Sequence, residues 1–181
     1  MYRVPTQAEY LSQGDIFRRR CVFPYTANLA DDYLLVRDDH EEPQPHGGLA
    51  DAWANNNSET VLMPTVGYEH FIVLSNSCDA ESNTGKAPLE FVLVGAVLPL
   101  ATLPQGNHAN CKSHKLIRLH YLAADANANF TESFVHFGLV SLIRQESLVQ
   151  SKNSRILALA FPHREDLSHR FGEFFSRVAL D

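Results

Sequence analysis

Apolar residues along this chain come in short blocks with the two-residue period of a strand, and only the last block keeps a helical period. After the turn residues Gly14 and Asp15, an extended segment is expected over 16–23, where Pro24 interrupts it. Residues 33–36 and 61–63 are shorter strand candidates, and 70–75 is a nearly continuous apolar run of the kind found in a central strand. The block 89–98 is another. Residues 116–122 alternate, with Ile117, Leu119 and Tyr121 as the expected core face and Arg118 and His120 on the polar side. Segments 133–137, 140–143 and 155–159 read as further short strands.

The C-terminal block differs. Pro162 suits a first helical position, and Leu167, Phe171, Phe174, Phe175 and Val178 recur at helical spacing opposite Glu165, Arg170, Glu173 and Arg177. The pattern predicts an amphipathic helix over 162–178 whose aromatic stripe faces a core. Several short strands closed by such a helix describe a mainly β protein, a small β-barrel with a C-terminal α-helix, in a single domain over 1–181. Between the early strands, residues 39–60 lose all period and combine acidic residues with Pro, Gly and Asn, so a long mobile loop insertion is expected there. Trp53 inside it either anchors the loop or contacts a partner.

Charge narrows the partners. Fifteen Lys and Arg against twenty-one Asp and Glu leave a formal net charge of −6, the opposite of the balance usual in nucleic-acid binders. The local exception is Arg18, Arg19 and Arg20, either a cationic patch or the solvent face of an edge strand. The longest apolar runs fall well short of the roughly 18 residues that span a bilayer, and the first residues lack a secretory core. No membrane contact and a cytoplasmic location are therefore expected. The three cysteines, Cys21, Cys78 and Cys111, are expected to be reduced thiols.

Candidate chemistry gathers at the exit of the 70–75 strand, where Ser75, Ser77, Cys78 and Asp79 lie together. Cys78 can serve as a thiolate nucleophile beside a base or cation, as a metal ligand, or as a small packed residue in a turn capped by Asp79 and the serines. His108, Cys111 and His114 have a spacing that could surround zinc if the segment is helical, with Cys78 as fourth ligand; the same residues also suit an exposed loop. His70 and His120 are candidates for a general acid or base, or for ordinary structural histidines. Phosphate-loop, dinucleotide, hydrolase-elbow and zincin motifs are absent, so no cofactor is expected and no metal ligand is assigned.

The stretch from Gln13 to Phe17 with its Gly14-Asp15-Ile16 core, the run Phe71-Ile72-Val73-Leu74-Ser75 and the segment Leu98-Pro99-Leu100-Ala101-Thr102 resemble the MazF/PemK-type toxin superfamily over about half of the chain. The resemblance implies an SH3-like barrel and metal-independent RNA cleavage, in which a 2′-hydroxyl attacks the adjacent phosphate with help from a base and a cation. Residues 65–69, where that family carries an arginine, contain none, so Arg18, Arg19 or Arg20 would supply the cation, with His70 or Thr102 beside it. The Ser75-x-x-Cys78-Asp79 motif, with Arg170, Phe171, Phe174, Phe175, Arg177 and Val178, resembles an uncharacterised bacterial family of mobile or defence-type gene neighbourhoods. Together the likenesses imply a bacterial toxin–antitoxin or phage-defence component that acts mainly by binding. Its partner would be a protein, either a co-encoded component or a second copy, or RNA. An endoribonuclease and a Cys78-centred enzyme or zinc site are the alternatives.

Overall fold

The computed structural model describes residues 1–24, 65–76 and 90–178. Seven strands form one antiparallel sheet: β1 (Tyr2–Arg3), β2 (Asp15–Pro24), β3 (Thr65–Val73), β4 (Phe91–Pro99), β5 (Leu119–Leu122), β6 (Ser133–Arg144) and β7 (Arg155–Leu159), in the order β1-β7-β2-β3-β4-β6-β5. Helices α1 (Gln105–Lys112), α2 (Gln145–Gln150) and α3 (His163–Val178) complete the described fold. None of these helices is long and apolar enough to cross a membrane.

Both faces of the sheet are apolar because both are covered. Successive residues of β2 and β3 divide between two buried clusters: Phe17, Phe71 and Val73 join Leu103, Cys111 and Leu148 of the α1 and α2 side, while Ile16, Ile72 and Leu74 join Leu167 of α3. Phe17 and Phe71 are directly opposite in register and stack with ring centroids 5.1 Å apart. Gly14, just before β2, has φ +86°, and a Cβ there would lie 2.9 Å from that of Leu159, so the turn requires glycine twice over. Beneath that turn, Asp15 and Arg155 form a fully buried ion pair at 2.7 Å. Burial pushes the Asp15 carboxyl pKa upward, against the pull of the Arg155 guanidinium.

The mainly β architecture with a C-terminal helix is the one expected, but among the described residues the sheet does not close into a barrel. Its outer strands meet only through side chains: Tyr2 donates to the Ala123 carbonyl at 2.7 Å, and the Ala123 amide faces the Met1 sulfur at 3.4 Å. The two residues of β1 pair with Ala158 and Leu159 of β7, and among the described residues no ladder joins β1 to β5. Two expected strands, 133–137 and 140–143, form one strand β6 with a bulge opposite Gly95 and Ala96. The candidate strands at 33–36 and 61–63 and the expected loop 39–60 lie outside the described residues.

The C-terminal helix packs as its period predicts. Leu167 is fully buried, and Phe171 and Phe174 hold the Phe137 ring at centroid distances of 5.4 and 5.9 Å. Phe175 instead lies on the outside of that group, 41% exposed. Glu165 and Asp166 occupy the first turn, where acidic residues complement the helix dipole. Because α3 covers the sheet face that carries His120, this histidine is 1% exposed rather than on a polar side.

Candidate functional site

The arginine run lies where β7 stops. Strand β7 pairs only with Asp15, Ile16 and Phe17 of β2, so Arg18, Arg19 and Arg20 continue β2 beyond that neighbour, with Arg18 paired to His70 of β3 and Arg19 and Arg20 in a bulge. A bulge between Arg18 and Cys21 splays their side chains. Arg18 reaches the carbonyls of Ala128 and Asn129 at 2.6 and 3.1 Å. Arg19 bonds the Ser147 carbonyl at 3.3 Å and the Ser151 hydroxyl. Arg20 lies over Gly67, where a Cβ would come within 2.7 Å of its Nε. The backbone backs all three, and all three are exposed.

His70 is the register partner of Arg18, whose Nε is 3.4 Å from the His70 Nε2. Burial, then the Arg18 charge, lowers the pKa of His70, so its ring is neutral and accepts at neutral pH. The sequence-predicted cation and base therefore meet. Thr102 is held apart from chemistry by donating to the Pro99 carbonyl at 2.7 Å, and Ser75 accepts the Leu93 amide at 2.8 Å, which fixes the exit of β3 against β4. Ser77, Cys78, Asp79 and Trp53 lie outside the described residues.

The His108, Cys111 and His114 knuckle does not form, although its segment is helical. In α1 the His108 Nε2 contacts the Leu103 carbonyl at 2.7 Å, and Cys111 turns into the core, where burial pushes its thiol up to about 11. His114 turns the other way. The Lys115 amide bonds the Asn110 carbonyl and the His114 amide bonds that of Cys111, the paired bonds of a Schellman ending. His114 thus occupies the left-handed position, φ 56°, that glycine usually takes, a conformation costing a side chain of this size about 1 kcal/mol or more.

This turn brings the His114 ring to 5.0 Å from that of His120 on β5, under the first two turns of α3. The Nδ1 of His120 lies 3.9 Å from Oδ2 of Asp166, and one donor atom from each of His114, His120 and Asp166 falls within 4.8 Å of the others. Both ring nitrogens of His120, Nδ1 of His114 and Nε of Arg170 are buried without a hydrogen-bond partner. The other Arg170 nitrogens clamp the loop from outside, donating to the carbonyls of His114, Leu116 and Leu119 at 3.1, 3.2 and 2.9 Å. Burial above all, then the charges of His114, Arg170 and His163, pushes His120 down to about 3. An unpartnered buried polar group costs on the order of 1–3 kcal/mol, so His120 is an expensive residue to retain at this position.

Sequence reasoning named His114 and His120 separately and never joined them to Asp166, because 46 positions (120 to 166) separate the last two along the chain. The available signal was the stripe Asp166 and Arg170, one helical turn apart beside the apolar face. Comparison with protein-family models gives no match for this chain, and no curated protein matches it.

Proposed function

We propose that this chain is a bacterial toxin–antitoxin or phage-defence component of the cytoplasm, built on a curled sheet akin to the SH3-like barrels of MazF/PemK-type toxins, and that it acts by binding an acidic partner. One observation carries the reading: Arg18, Arg19 and Arg20 form an exposed cationic ribbon on a chain whose net charge is −6. Contacts to Ala128, Asn129, Ser147 and Ser151 pre-order Arg18 and Arg19, so a partner meets guanidinium groups that have already lost part of their rotamer freedom. Their planar forks suit carboxylate or phosphate. The partner is the acidic product of a neighbouring gene, or RNA held by its backbone.

Ribonuclease chemistry is the second reading, and the contact between Arg18 and His70 favours it by placing a cation beside a neutral imidazole. Against cleavage, Arg18 already serves two carbonyls. Fluorescent single-stranded RNA and the co-expressed neighbouring protein are titrated against wild type and an Arg18→Ala/Arg19→Ala/Arg20→Ala variant. Binding without cleavage is expected, and for RNA the salt dependence falls by about two counterions in the variant. Cleavage lost on His70→Gln replaces binding with the nuclease reading; partner binding unchanged in the triple variant removes the ribbon from the function.

A further inference from the structure

We propose that His114, His120 and Asp166 hold a first-row divalent transition metal, with zinc as the reference ion. Two imidazoles and a carboxylate are the donor set such ions take, and three protein ligands leave a further position for water or substrate, as in catalytic rather than structural sites. Ligand atoms about 2.0–2.1 Å from a tetrahedral ion lie roughly 3.4 Å apart. The pair His120 Nδ1 and Asp166 Oδ2, at 3.9 Å, is about half an ångström from that spacing. One donor atom from each of the three residues lies within 4.8 Å of the others, and the Asp166 side chain is 49% exposed, so solvent reaches the cluster from its side.

A second observation points to a ligand independently of this spacing. His120 is 1% exposed with neither ring nitrogen bonded, so it offers a lone pair inside the cluster that no protein group takes. A third is the backbone: His114 stands where glycine would be easiest, and the strained turn aims its ring at His120. Arg170 touches the loop carbonyls rather than the cluster centre, which makes it a positioning residue. A small anion drawn by Arg170 and His163 is the competing occupant. The Asp166 carboxylate at the mouth repels it, and a neutral His120 supplies a lone pair rather than a positive charge. The site is independent of the arginine ribbon.

The untagged full-length protein, stripped with chelator, is titrated with zinc by calorimetry, and bound metal is measured after dialysis. Uptake of about one equivalent is expected, with visible d–d bands when cobalt replaces zinc. Asp166→Asn and His114→Asn, an exposed isostere and a residue that accepts positive φ, keep the far-ultraviolet circular dichroism of wild type and weaken zinc by at least about tenfold. Equal zinc affinity in the double variant places the metal elsewhere and overturns the proposal. So does the absence of zinc binding, or stabilisation by inorganic phosphate alone.

Discussion

Two histidines of the same sheet each sit beside an arginine, Arg18 of β2 for one and Arg170 of α3 for the other, and they differ in what their nitrogens have found. His70 is half-buried beside Arg18 at 3.4 Å, with Phe130 edge-on to its ring. His120 is buried near Arg170, with no hydrogen-bond partner for either nitrogen. Each arginine does similar work, fastening a loop through backbone carbonyls: Arg18 holds Ala128 and Asn129, and Arg170 holds His114, Leu116 and Leu119. In the first neighbourhood polar groups are satisfied near water and make a surface. In the second a helix has covered a polar group without satisfying it, and its ring nitrogens keep their bonding capacity. A partnered buried group supports the fold, whereas an unpartnered one invites a ligand.

The largest expected break in this comparison is pH dependence. In chelator, with His114, His163, Arg170 and Asp166 around it, native His120 titrates near 3 and the unfolded chain near its ordinary 6.5. The unfolded state therefore binds the extra proton between these values. The His120 contribution to stability is fully present above about 6.5 and is lost progressively on acidification, by several kcal/mol, on the order of 5, toward the lower end. Urea unfolding across this range checks it: His120→Phe should remove that slope while leaving stability at neutral pH unchanged or raised, since it replaces an unbonded polar ring with an apolar one. Next in size is Arg170→Ala, which frees three loop carbonyls and should cost roughly 3 kcal/mol by thermal unfolding. Arg18→Ala loses the equivalent clamp in solvent and should cost under about 1 kcal/mol in the same measurement. Equal costs for the two arginines would erase the distinction drawn between the neighbourhoods.

Much of the fold was legible because it rests on period. The run at 70–75 covers the last four residues of β3 and the two that follow it, the Gly14 turn releases β2, and the α3 stripe at Leu167, Phe171 and Phe174 faces the core. Helix α1 escaped notice because Gln105–Lys112 is almost wholly polar and buries only Cys111, so it carries no apolar stripe to read. Strand β1 is two residues long, below the length at which alternation means anything. Of the candidate residues, Arg18 and His70 do meet, because antiparallel pairing of β2 and β3 sets them opposite. Ser75 and Thr102 serve the backbone instead.

By itself the sequence determined the elements with strong local signals: the alternation of central strands, the glycine turn, the amphipathic last helix and the acidic balance with its single arginine run. Each of these depends on neighbours within a few residues, where side-chain period and charge are written directly. Only the tertiary structure decided that the sheet stays open among the described residues, that α3 lies over His120, and that a left-handed turn and a distant helix bring His114 and Asp166 to the same ring. Burial and long-range contact are properties of the assembled layers, so no local window of residues contains them.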